Sequence, residues 1–424
     1  MHDLRTIREQ AELLREAMRR RGKLEAYAPA IDEAEALDRE RRRMIQAVED
    51  KKAQRNATTQ VVGRKKKAGE DAAEEMAQAR ALGEEIAALE AQLGPAEARL
   101  EELLLGIPNV PLADVPEGDE SHNVVVRSWG TPRLTEGVKP HWEVGAALGM
   151  LDLERGAKIA GSGFIVYRGA GARMIRSFMN AMLDLHTGEF GYEECWVPVV
   201  VNRASMVGTG QLPKFEDDMY ALRDEALFLI PTAEVPVTNL YRDEILDAET
   251  LPKALCAYSP CFRREAGSAG KDTRGVLRVH EFDKVELVRY SRPEDGEAEL
   301  ERLLGHAETV LQRLGLPYRV VLLAAGDLGF ASAKTYDLEV FAPGVGKWLE
   351  VSSCSLFTDF QARRANIRFR PAAGEKPRFV HTLNGSGLAF PRIFAAILEH
   401  YQRPDGGVEV PEALRPFLGT DRIG

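Results

Sequence analysis

Between Leu82 and Leu103 the apolar residues step by four and three in turn: Leu82, Ile86, Leu89, Leu93, Ala96, Leu100 and Leu103. That is the a/d seam of a coiled coil, so about Ala72 to Leu105 is predicted to be a helix needing a partner along its length. The partner lies just upstream. Ile31, Leu37, Met44 and Val48 mark a looser stripe on a very polar segment, which reads as an outgoing helix from Ile31 to about Val62. "VVGRKKKAGED" joins the two, with Gly63 and Gly69 as turn residues. An antiparallel hairpin of about thirty residues a side would be roughly 45–50 Å long. Pro95 removes one helical hydrogen bond and crowds the preceding turn, which predicts a kink near Gly94-Pro95.

Charge sorts along this arm. Residues 39–67 carry eleven Lys/Arg and three acids, net +8, whereas residues 68–105 carry two Arg and ten acids, net −8. Two readings fit. The faces neutralise each other and hold the hairpin together. Alternatively, Arg64, Lys65, Lys66 and Lys67 at the tip, about 63–69, meet the phosphates of a partner much larger than a metabolite. The overall charge of −10 argues against nucleic-acid binding, and only this sorting reverses that argument.

At 44% hydrophobic and 29% charged, the 424 residues describe a folded globular chain. The amphipathic start "MHDLRTIREQAELLREAMRRRG" has no apolar core of a secretory signal, and no run is long enough to span a membrane. A cytoplasmic protein with no membrane partner is expected. Cys195, Cys256, Cys261 and Cys354 lack metal-ligand spacing, so reduced thiols and no zinc are expected.

Three prolines and an acidic cluster in "GIPNVPLADVPEGDESHN", residues 106–123, mark a linker between an N-terminal helical domain (1–105) and a second domain (124–424). In the second domain, residues 171–201 open as a helix with Ile175, Phe178, Met179 and Met182 on one face. Gly188 and Gly191 stop it, and "CWVPVVV" reads as a strand confined by Pro198 to an edge or interface. Residues 226–241 read as a strand and a turn, and 336–355 as a hairpin. Long strands joined by turns, with helices around them, give an α+β domain on a mostly antiparallel sheet.

"CFRREAGSAGKDTRGVLRVHEFDKVELV", residues 261–288, looks briefly like a phosphate-binding glycine loop. It fails: only two residues separate Gly267 from Gly270, and Asp272 stands where a hydroxyl is required. It reads as two strands, 258–265 and 276–288, around a glycine-rich loop. Alternation puts Arg278, His280, Phe282, Lys284 and Glu286 on one face, with Arg263 and Glu265 sharing a face of the other strand. Arginines, an aromatic ring and carboxylates suit a nucleotide, with Arg on phosphate and Phe under a base. The plainer alternative is a solvated, salt-bridged face.

This stretch resembles motif 2 of the class II aminoacyl-tRNA synthetases, and closely that of the bacterial seryl-tRNA synthetases. The resemblance spans the hairpin, "IPNVP", a motif 1-like 171–201, "TAE" at 232–234, "FRREAGSAGKDTRG" at 262–275, "LEVSSCS" at 349–355 and a motif 3-like "TLNGSGLAFPRIFAAILEHYQ" at 382–402. It implies an antiparallel six- to seven-stranded catalytic sheet, a homodimer, and a two-step reaction. L-Serine and ATP give seryl-adenylate and pyrophosphate; the seryl group then passes to the 3′-terminal ribose of serine tRNA, whose long variable arm the hairpin reaches. Selenocysteine tRNA is a further candidate substrate.

The resemblance also implies a site. ATP would meet Arg263, Arg264, Glu265, Val279, Phe282, Glu350, Val351, Ser352, Ser353 and Arg392. Among these, Arg263 would hold the α-phosphate, Glu265 the adenine amino group, Phe282 the ring face, and Arg392, behind Pro391 in the first turn of a helix, the γ-phosphate side. Glu350 and Ser353 would offer hard oxygens to Mg²⁺. Serine would meet Thr232, Ala233, Glu234, Glu286, Asn384 and Ser386. Arg264 replaces a Ser common in the family; by alternation it points away from the site, towards a salt bridge or tRNA. His280 is given no catalytic role, because adenylation is mostly positioning and electrostatics. The segment "GSAGKDTRG", 267–275, would tip the hairpin near the tRNA acceptor end. Two other readings stand beside this one: a ligase loading a carrier protein, and a coiled-coil scaffold with a degenerate nucleotide fold.

Overall fold

The computed structural model describes residues 1–223, 226–266 and 274–424. Two compact units emerge, one of Met1–Arg19 with Lys23–Pro108, the other of Arg20–Gly22 with Asn109–Gly424.

The first unit is built on helices α1 (Leu4–Arg20), α2 (Leu24–Ala68) and α3 (Ala73–Gly106). On α1, Ile7, Ala11, Leu14 and Met18 are buried at helical spacing. All seven seam residues of α3 are buried or half-buried. They face Ile31, Ala34, Met44 and Val48 on α2, all buried. Beyond Val48 the stripe on α2 is no longer apolar. Lys51 and Arg55 sit there half-buried, their stems covering the seam. Ion pairs link the helices along their length: Arg99 with Glu33, Arg41 with Glu97, Lys52 with Glu90, Lys51 with Glu85 and Lys65 with Glu75. The neutralising reading of the charge pattern therefore applies to the flanks of the arm.

Three expectations change here. Gly63 is not a turn residue; α2 runs through it to Ala68. A lone glycine costs a helix only about 1 kcal/mol, which does not stop so long an element. Gly69, at φ +74°, ends it instead, with the N–H of Glu70 returning to the carbonyl of Lys65 at 2.9 Å. The 45 residues of α2 make it about 67 Å long at the standard rise, longer than expected. Finally, α3 is unbroken across Gly94-Pro95. Pro95 is exposed while Leu93 and Ala96 keep their seam contacts, so the helix absorbs the lost hydrogen bond without a break.

The second unit holds an eight-stranded sheet: β1 (Val124–Trp129), β2 (Glu193–Glu194), β3 (Lys253–Phe262), β4 (Glu281–Ser291), β5 (Tyr318–Leu322), β6 (Lys334–Ala342), β7 (Lys347–Leu356) and β8 (His381–Ala389). The spatial order is β1-β5-β6-β7-β8-β4-β3-β2. Every pairing is antiparallel except that of β2 with β3. The two-residue β2 extends the expected six to seven strands at one edge.

One face of the sheet is covered by α4 (Ala170–Gly188), α5 (Gly296–Arg313) and α6 (Phe390–His400), which share a core with Val285, Leu287, Leu338, Val351 and Cys354. Phe178 on α4 meets Phe390 on α6 edge-on at 5.7 Å, both fully buried. On the other face a second apolar cluster covers Leu255, Ala257, Val288 and Tyr290, and the rest of that face is open. "CWVPVVV" does not form one strand; only Val200–Asn202 pairs, with Leu227–Leu229. Trp196 is 77% exposed. The segment read as a linker is fixed from Asn109 onward, where the buried Asn109 amide donates to the carbonyls of Ala331 and Phe357 at 2.9 and 2.8 Å.

Candidate active site

On the open part of that second face, a cavity of about 560 Å³ lies over β4, β7 and β8. A recess of about 310 Å³ continues it towards the start of α6. Arg263, Glu265, Arg278, Lys284, Glu350 and Ser386 line both.

Strand register explains the convergence. Alternation along β4 aims Phe282, Lys284 and Glu286 to this face while Val285 and Leu287 enter the core. On β7, Glu350 and Ser353 are three apart, a spacing that regular alternation would send to opposite faces. The pairing of β7 with β6 shifts register between Glu350 and Ser352. That bulge returns Ser353 to the cavity side, beside Glu350.

The serine-side residues form one buried network. Lys284 and Glu286 are an ion pair, 6% and 1% exposed. Thr232 Oγ1 donates to Glu286 Oε2 at 2.8 Å and accepts from Lys284 Nζ at 3.0 Å. Asn384 Nδ2 donates to Glu286 Oε1 at 3.1 Å. Next to them, Gln361 Nε2 donates to Glu234 Oε1 at 2.6 Å, and Thr382 holds the other end of that amide. Burial, and then the Glu286 carboxylate, push Glu234 up to about 7.

At the recess the charges are already paired. The Arg263 guanidinium lies 5.0 Å over the ring of Phe282. Arg278 grips Glu265. Arg392, in the first turn of α6 behind Pro391, donates to the Glu350 carbonyl at 2.6 Å and its carboxylate at 3.1 Å.

A seryl-tRNA synthetase N-terminal domain model matches residues 1–111, and a class II tRNA synthetase core domain model (G, H, P, S and T) matches residues 214–401. A serine–tRNA ligase of Gemmatimonas aurantiaca is 68% identical over 420 residues, 99% of each chain. The chain belongs to the seryl-tRNA synthetase family. A serine–tRNA ligase of Geobacillus kaustophilus is 56% identical over 99% of each chain. The crystal structure of a seryl-tRNA synthetase from Pyrococcus horikoshii complexed with ATP superposes with a TM-score of 0.96 at 38% identity, covering 100% of this chain and 99% of that one.

Within this synthetase, most residues singled out from the sequence meet at the cavity or its recess: Thr232, Glu234, Arg263, Glu265, Val279, Phe282, Glu350, Ser353, Asn384, Ser386 and Arg392. Glu286 joins them through Thr232 and Asn384. Four do not line it. Val351 is buried in the core on the far face, and Ala233 packs into a second apolar cluster. The bulge turns Ser352 aside, its hydroxyl bonding the Ser386 carbonyl at 2.9 Å. Arg264 is exposed outside the cavity, away from the site as alternation placed it and so not among the nucleotide-facing side chains. The strands expected at 258–265 and 276–288 run instead from Lys253 to Phe262 and from Glu281 to Ser291. The loop residues 267–273 lie outside the described residues.

Of the tip cations, Arg64, Lys66 and Lys67 are exposed, while Lys65 is half-buried against Glu75. His280 Nδ1 donates to the Arg263 carbonyl at 3.0 Å, and the ring lies outside the cavity. Two network members had been given no role: Lys284 and Gln361. Lys284 was legible, since it alternates with Phe282 and Glu286; Gln361, on a separate short helix, carried no local signal.

Proposed function

We propose that this cavity activates L-serine with ATP and that the synthetase then charges serine tRNA, selenocysteine tRNA being a further candidate. The observation that carries the reading is one surface with two halves: a hydroxyl-sized polar network at Thr232, Lys284, Glu286 and Asn384, and a phosphate-suited pair of arginines, Arg263 and Arg392. Glu234 takes the serine ammonium, with Thr232 beside it. Glu286, with Asn384 and Ser386 near it, takes the hydroxyl. Alanine leaves those groups unpaired and is refused by several kcal/mol; threonine is refused by a methyl group worth only about 1–3 kcal/mol.

The adenine ring slides onto Phe282, and Arg263 swings from that ring to the α-phosphate. One serine carboxylate oxygen attacks the α-phosphorus as the bond to pyrophosphate breaks. Arg263 stabilises the charge on the five-coordinate phosphorus, and Arg392 leaves Glu350 for the γ-phosphate side. Glu350, with Ser353 brought alongside by the bulge, would offer two hard oxygens to Mg²⁺, a donor set that fits that ion. A cation bound there neutralises phosphate charge. In the second step a tRNA ribose hydroxyl attacks the seryl carbonyl and AMP leaves.

Serine-dependent pyrophosphate exchange followed by aminoacylation of total tRNA tests this. No exchange favours a scaffold; exchange without charging favours a carrier-loading ligase. A homodimer is proposed on the resemblance to the family alone. No helix among the described residues is long and apolar enough to cross a membrane, and a cytoplasmic location suits the reaction.

Two further outcomes are expected. Serine binding should weaken as pH falls through about 7, because Glu234 must be ionised to hold an ammonium. KM for serine should rise about tenfold per unit below that point, in a field set by Glu286, Lys284 and Arg263. Glu234→Gln should raise KM and flatten the profile. A wild-type profile flat between about pH 6 and 8 removes Glu234 from the ammonium. At the arm, replacing Arg64, Lys66 and Lys67 together with Ala should spare exchange and weaken tRNA binding. The slope of log K against log salt should shrink by about 2–3; an unchanged slope takes the tip out of the interface.

A further inference from the structure

Glu265 has φ +51°, a left-handed backbone that a non-glycine residue keeps only where its surroundings impose it. Its two flanking peptide N–H groups point to one residue. The N–H of Arg264 donates to the Asp218 carbonyl at 2.9 Å, and the N–H of Ala266 donates to Asp218 Oδ1 at 3.1 Å. Asp218 itself stands on framework. It closes the short turn Glu216–Asp218, whose Glu216 is held by both arms of Arg203 at 2.7 and 2.8 Å. The next residue, Met219, is buried, and Tyr220 accepts from the Leu229 N–H at 2.9 Å.

We propose that Asp218 is a positioning residue, clamping Glu265 on both sides so that its carboxylate stays aimed at the purine amino group. This rests on the reading above in which Glu265 accepts from adenine. A carboxylate receiving a backbone N–H makes a charge-assisted bond, and it fixes the residue after Glu265 while the Asp218 carbonyl fixes the residue before it.

The test is pyrophosphate exchange with ATP and with GTP, which carries a carbonyl where adenine has its amino group. Asp218→Ala should raise KM for ATP about five- to tenfold and narrow the ATP-over-GTP preference in kcat/KM. KM for serine and the melting temperature should stay unchanged. Asp218→Asn should restore both ATP readouts, since its amide oxygen still accepts the Ala266 N–H. Wild-type behaviour of Asp218→Ala overturns the proposal. So does an Asn variant as impaired as the Ala variant, which would mean that the charge acts on substrate directly. Glu265→Ala serves as the control. If it leaves the nucleotide preference intact, the adenine reading itself is wrong; if it abolishes the preference while Asp218→Ala does not, only the clamp is wrong.

Discussion

Arg263→Ala should lower serine-dependent pyrophosphate exchange by about a thousandfold or more while the fold survives. The magnitude follows from removing a preorganised group aimed at charge that develops only in the transition state. The survival follows from its position. The Arg263 side chain is exposed, and its contacts are the ring of Phe282 and a 3.4 Å bond to the Pro231 carbonyl. The melting temperature should therefore move little. Arg263→Lys should fall between the two, because an ammonium keeps the charge but lacks the planar fork. Exchange near the wild-type rate in Arg263→Ala would refute the phosphate assignment.

Glu286→Ala should behave differently, losing both activity and stability. Its carboxylate is the centre of the buried network, and removing it leaves the Lys284 ammonium without its counter-charge. Breaking such a pair costs about 3–5 kcal/mol. The double variant Lys284→Met, Glu286→Gln separates the two effects. With neither charge of the pair left, stability should recover part of the way to wild type, whereas serine activation should stay lost. If the double variant activates serine well, the pocket does not depend on this carboxylate.

The sequence disclosed the parts that follow from periodicity. The seam from Leu82 to Leu103, the alternation of Phe282, Lys284 and Glu286, and Pro391 ahead of Arg392 all keep their faces in the structure. It concealed whatever depends on breaking a period. The register shift beside Val351 that brings Ser353 round to Glu350 has no glycine or proline to announce it. The early end of β3 and late start of β4 put Glu265 in a left-handed conformation that alternation could not foresee. Gln361 reaches Glu234 across 127 positions of chain, a contact that only the tertiary fold creates.

The paired flanks of the arm bear on how a polyanion would meet it. Along the shaft, Arg41, Lys51 and Lys52 of α2 each pair with a carboxylate of α3, so a nucleic acid lying alongside them would release few counterions. A dense exposed cluster of charge stands at the end of α2, at Arg64, Lys66 and Lys67. Such a rod is sticky at one end only. It discriminates by reach: an RNA that presents phosphates at the far end of about 67 Å of helix gains the full electrostatic attraction, and one that touches the shaft gains almost none.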